Sequence, residues 1–145
     1  MIYIYDFEDG LQSILAYIID LPTKVRYWDR RGFPSDIHSL SEDKNIVIMS
    51  KPYDCLQRGV NRGKYKDNDE RTLNDWSRRN WRYSNPELYE HINNMIENMS
   101  NILIIHPDDF VNGNLRKKLK EYIGIDIKLS NLKLKQLYNE NVNIK

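Results

Sequence analysis

The sequence predicts an α/β fold: a three-layer α/β/α domain with a mostly parallel central sheet. Three observations carry that expectation. Two short runs, 45–49 (NIVIM) and 101–105 (NILII), have the near-continuous apolar character of strands covered on both faces. A third run, 1–5 (MIYIY), is β-branched and aromatic. Between these runs lie segments of helical periodicity, and strands that alternate with helices argue for parallel pairing. The chain has 145 residues, 40% hydrophobic and 30% charged, the composition of one folded domain over 1–145.

Taken in order, 1–5 is the first strand and Asp6-Phe-Glu-Asp-Gly10 a turn. Leu11, Ile14, Leu15, Ile18 and Ile19 recur at helical spacing, so 11–20 is a helix, which Pro22 stops. Residues 23–28 make a second strand, followed by a polar loop through Gly32-Phe-Pro34. The strand 45–49 ends before Pro52, and a helix begins over 53–60. Residues 61–69 are a charged loop, and 71–83 an Arg/Trp-rich segment of helical character. Pro86 suits the first turn of a helix running to 99, capped by Ser84 or Asn85. After the strand 101–105, Asn114 is expected to cap a helix over 115–122 that Gly124 closes. A last helix covers 128–138, with the Asn-rich end 139–145 fraying.

Composition excludes several classes. The lone cysteine, Cys55, rules out an internal disulfide framework and a Cys-rich zinc site, and on an apolar helix face it should be buried and inert. His38, His91 and His106 share no metal-ligand spacing, so no metal site is expected. No apolar run reaches membrane-spanning length and the acidic start is unlike a signal peptide, so a cytoplasmic protein without membrane contact is expected. Abundant Asn, Ile, Lys and Tyr beside a single alanine, Ala16, suggest an A/T-rich genome such as that of a phage or other virus, with the host cytoplasm as location.

The net charge of +1 hides an asymmetry. Residues 24–82 hold 14 Lys+Arg against 9 Asp+Glu, and nine of the ten arginines; the remainder holds 8 against 12. Guanidinium presents a planar fork suited to phosphate, sulfate or carboxylate, so this span points to an anionic small molecule or an acidic partner. Within it, Arg71, Trp76, Arg78, Arg79, Trp81 and Arg82 combine phosphate-neutralising cations with rings that stack on bases, the pattern of a surface for nucleic acid or a host protein.

Parallel sheets bind ligands at the carboxyl ends of their strands, which directs attention to 6–13, 50–58 and 106–112. In the first of these, Asp6, Glu8 and Asp9 would repel a phosphate and suit the cap of the following helix better than a divalent cation. Gly59-Val-Asn-Arg-Gly-Lys64 is one residue short of a phosphate loop.

Ile46-Val-Ile-Met-Ser-Lys-Pro-Tyr-Asp-Cys-Leu-Gln-Arg58 resembles the sulfotransferase family's strand followed by R-[ND]-P-x-D-x-x-x-S. Pro52 and Asp54 match; Ser50 stands at the Arg position and Arg58 at the Ser position, keeping one of each across the helix start. Ile104-Ile-His-Pro-Asp-Asp-Phe-Val111, with Leu115 to Ile125, is similar to the family's R-Y-E-D-L-V … L-x-x-L-x-x-F-L-G-I segment. The family's [KR]-S-G-T-T falls on Asp9-Gly-Leu-Gln-Ser13, where only the glycine remains. The resemblance spans about 45–125 and implies a P-loop-like topology. It also implies a 3′-phosphoadenosine 5′-phosphosulfate-like nucleotide held by Gly10, Ser13, Ser50, Arg58 and Arg62, with the donor site decayed or rebuilt. An active transferase would take His106 or Asp108 as base toward a hydroxyl acceptor.

The same residue order also resembles the haloacid-dehalogenase phosphatases. That resemblance implies Asp6 as nucleophile, Glu8 as second acid, Ser50 and Lys64 or Lys66 on the phosphoryl oxygens, and Asp108/Asp109 on Mg²⁺.

Overall fold

The computed structural model describes residues 1–6, 10–27, 43–51, 54–55, 58–59, 96 and 101–142. Four parallel strands, β1 (Ile2–Asp6), β2 (Thr23–Tyr27), β3 (Lys44–Ile48) and β4 (Ile102–Ile105), form one sheet in the order β2-β1-β3-β4. The register sets Ile4 between Val25 and Ile46, and Ile46 beside Leu103. With a neighbour on each side, β1 is buried at all five positions, which is why its sequence lacks the polar alternation of a half-exposed strand. β3 is buried from Asn45 to Ile48, while β4 is half-buried over Ile102–Ile104. The α/β architecture with a parallel sheet is therefore as expected from the alternating pattern.

Helix α1 (Gln12–Ile19) connects β1 to β2 and buries Ile14, Leu15, Ile18 and Ile19. It ends at Asp20, which adopts the left-handed conformation (φ 54°) and donates its N–H to the Ala16 carbonyl at 3.1 Å. Asp tolerates that region better than most residues, and Pro22 prevents continuation. Residues 54, 55, 58 and 59 are helical, in line with the helix expected over 53–60, and Ile96 is helical and buried. The polar loop, the charged loop, the Arg/Trp-rich segment 71–83 and most of 86–99 lie outside the described residues.

The C-terminal third departs from expectation in three places. A short helix α2 (Asp109–Asn112) occupies what reads as loop. Asn114 is not a cap: it opens helix α3 (Asn114–Ile123) behind Gly113 (φ 85°), and the side-chain oxygen of Asn112 accepts the Asn114 N–H at 2.9 Å. Gly124 does close α3, in the left-handed conformation, with its N–H on the Lys120 carbonyl. The last helix, α4 (Asn131–Val142), begins three residues later than expected. The Arg116 guanidinium holds the carbonyls of Ile127 (2.7 Å) and Leu129, so those groups are unavailable to a helix, and Ser130 Oγ accepts the Lys133 N–H at 3.1 Å. At its other end α4 runs past 138 to Val142, where Asn141 Nδ2 donates to the Leu137 carbonyl, so 139–142 are helical rather than frayed. Among the described residues no helix is long and apolar enough to cross a membrane.

One polar staple joins α3 to the sheet. Tyr122 donates its hydroxyl to the Asn101 carbonyl (2.7 Å) and accepts the Asn45 N–H (3.2 Å), with the Lys44 ammonium 5.1 Å above its ring. Burial raises its pKa above the usual 10.0. Tyr122→Phe keeps the ring but leaves part-buried backbone groups short of a partner, so urea denaturation should show a loss of about 1–2 kcal/mol.

Candidate functional site

From β1 the chain steps to β2 on one side, and β3 lies on the other, so the strand order reverses at the carboxyl ends of β1 and β3. In open α/β sheets that crevice is where ligands bind. The last residue of β1 is Asp6 and the second residue past β3 is Ser50. Both are fully buried. Asp6 Oδ2 accepts hydrogen bonds from the Ser50 hydroxyl (2.7 Å) and from the Leu11 N–H (2.9 Å), the amide that opens α1. A carboxylate there meets the positive end of the helix dipole. It also explains Gly10: a Cβ at this position would lie 2.3 Å from Asp6 Oδ2, in space the carboxylate already fills.

The same pocket of structure contains Cys55 and Arg58, both buried. Arg58 Nη1 donates to Cys55 Sγ at 3.4 Å. Burial, foremost, and then the negative charge of Asp6 push the thiol well above its ordinary range, while Arg58 and Ser50 oppose them. The thiol is therefore neutral and inaccessible, as its apolar surroundings in sequence imply. Because all of these groups act on one sulfur, Asp6, Ser50, Cys55 and Arg58 form one charged network under the sheet's carboxyl edge.

A second brace follows β4. Asp109 Oδ2 accepts the His106 N–H (2.9 Å) and pairs with Lys118 of α3 at 2.6 Å, and the Lys118 ammonium also reaches the Ile104 carbonyl. Asp109 is thus spent on holding the β4–α2 turn against α3. His106 and Asp108 are exposed. Asp108, however, is one of three charged groups acting on the phenol of Tyr138 in α4, together with Arg58 and Asp54.

Of the residues singled out from sequence, Gly10 and Ser50 lie against Asp6, and Arg58 joins them through Cys55. Ser13 does not join them in burial; it is exposed on α1. Arg62, Arg71, Trp76, Arg78, Arg79, Trp81 and Arg82 lie outside the described residues, as do Glu8, Asp9, Lys64 and Lys66. Among the described residues no group of three or more His, Cys, Asp or Glu could hold a metal ion. Sequence reasoning overlooked Lys118 and Tyr138. Leu134, Leu137 and Tyr138 at helical spacing mark one apolar face, but nothing local says that this face packs against α2, where Tyr138 meets Phe110.

Buried phenols near the sheet add a pH dependence. Burial pushes the Tyr5 pKa up to about 12, with Tyr3 and Asp43 adding to the effect and Arg26 opposing it. The folded state then binds more protons than the unfolded state from pH 10.0 to about 12, so stability is intact below pH 10.0 and lost as pH rises through that window. The loss attributable to Tyr5 is on the order of 2 kcal/mol, and Tyr5→Phe should flatten the alkaline limb of a pH–denaturation profile. Compared with known proteins, the chain matches no family model and no curated sequence, so its function has to be read from the chemistry of these residues.

Proposed function

We propose that this is a sulfotransferase-like protein that binds a nucleotide-linked or other phosphate-bearing anion at the carboxyl edge of its sheet, near Arg58, with the cradle at the start of α1 closed by its own carboxylate. The observation that carries the reading is the seat of Asp6. A helix-opening N–H and a hydroxyl converge on one carboxylate oxygen, and the buried Arg58 guanidinium donates to Cys55, whose sulfur feels the same carboxylate; these are donors of the kind that seat a phosphate, with a side chain as occupant. Binding rather than group transfer is the function that this arrangement supports, because the position a donor phosphate would take at Leu11 is filled.

The phosphatase reading has one favourable feature, the contact between Asp6 at the end of β1 and Ser50 just past β3. Against it, the proposed nucleophile is fully buried and one oxygen already carries two donors. The partner-surface reading rests on residues outside the described ones. Calorimetry with adenosine 3′,5′-bisphosphate tests the proposal: measurable binding by the wild type, lost in Arg58→Lys, supports it. Absence of binding by both the wild type and Asp6→Asn rejects it.

A further inference from the structure

Helix α1 begins beside Asp6 and ends at Asp20, so its two ends stand roughly 12 Å apart along the axis. At the far end a groove of about 330 Å³ runs between the last turn of α1 and the connection from α3 to α4. Ile18 and Ile19, both buried, line it from the helix, and half-buried Ile125 and Leu129 line it from the connection. Tyr17 and Leu21 also line it while leaving 63% and 44% of their surface to solvent. The connection is irregular yet fixed: Arg116 holds the carbonyls of Ile127 and Leu129, and Lys120 pairs with Asp126 at 3.1 Å. That wall is therefore in place before any ligand arrives.

Charge decides the occupant. Asp20 stands at the negative end of the α1 dipole, in a helix whose last turn holds no basic residue. It also takes the left-handed conformation (φ 54°) at a position where helices ordinarily end on Gly or Asn. A carboxylate there is repelled by the helix, and among the described residues it has no ion-pair partner. Asp126 is engaged by Lys120, which leaves Asp20 as the available anion of the groove. Lys128, the one cation among the lining residues, is exposed, and its long side chain can turn to water, whereas the short Asp20 side chain is held by its backbone. We propose that this groove binds a small primary amine with an apolar body, its ammonium on the Asp20 carboxylate and its body against Ile19, Ile125 and Leu129. The site lies at the opposite end of α1 from Asp6 and does not rest on the anion-binding reading.

The test titrates the full chain with phenethylamine, following amide NMR shifts near neutral pH, beside phenethyl alcohol and hydrocinnamate as neutral and anionic probes of similar body. The amine should shift the amides of 18–21 and 125–129 and bind roughly fivefold tighter than the alcohol, with the carboxylate weakest. Asp20→Asn should erase the preference for the amine, keep the alcohol's binding, and leave the urea midpoint unchanged or raised, since Asn suits the end of a helix and carries no charge. Lys128→Gln should tighten the amine. Equal binding of the three probes, shifts confined to other parts of the chain, no binding at all, or an amine preference that survives Asp20→Asn would each overturn the inference.

Discussion

Asp6→Asn is expected to raise the affinity for adenosine 3′,5′-bisphosphate by roughly tenfold or more, because it removes a fixed negative charge from a low-dielectric site. The substitution is close to isosteric. With its amide oxygen in the place of Oδ2, asparagine can still accept from both the Leu11 N–H and the Ser50 hydroxyl. The stability lost should therefore stay at about 1–3 kcal/mol, small enough to leave the chain folded. The phosphatase reading predicts the opposite sign from the same variant: an amide cannot attack phosphorus, so any Mg²⁺-dependent hydrolysis of p-nitrophenyl phosphate would vanish with no gain in binding. Arg58→Lys in the same background should remove most of the gain, as an ammonium lacks the planar fork that grips a phosphate.

Gly10→Ala should cost about 3 kcal/mol or more in urea denaturation, the largest effect expected from a single methyl group in this protein. The added carbon would fall 2.3 Å from Asp6 Oδ2, 2.4 Å from its Cγ and 2.7 Å from its Cβ. A flexible, exposed side chain would swing aside. Asp6 cannot, being fully buried with one oxygen fixed by both a backbone amide and the serine two residues past β3. Coupling identifies the cause: an Asp6→Ala background removes the two nearest obstructing atoms and leaves only the Cβ contact at 2.7 Å, so the second substitution should cost less than it does alone. Equal costs in the two backgrounds would locate the strain elsewhere.

The legible parts of the fold were those decided by burial. β1 and β3 read as strands because covering both faces of a parallel sheet requires continuous apolar runs, and α1 because one face repeats Ile and Leu at helical spacing. The illegible parts were decided at a distance. No local rule says that Arg116 will take the carbonyls of Ile127 and Leu129 and so delay α4, or that Asn112 rather than Asn114 will serve the start of α3. The site divides the same way. Gly10, Ser50 and Arg58 stood out because strand ends in α/β sheets bind ligands, and Asp6 was placed correctly as the acid at the start of a helix. That its second donor would be Ser50, 44 residues on, needed the pairing of β1 with β3. An arginine in a charged span reads as surface, so the burial of Arg58 left no trace in composition.

The strand register also orders events in time. Ile4 meets Val25 across a separation of 21 residues and Ile46 across 42, whereas Ile46 meets Leu103 across 57. Each longer closure carries a larger entropic barrier before any contact rewards it, and non-local pairing slows the search. The amino-terminal β1-α1-β2 crossover unit is thus the expected nucleus, and docking of β4 the expected last step. A newly made chain would spend that interval with β3 exposed as an unpaired edge.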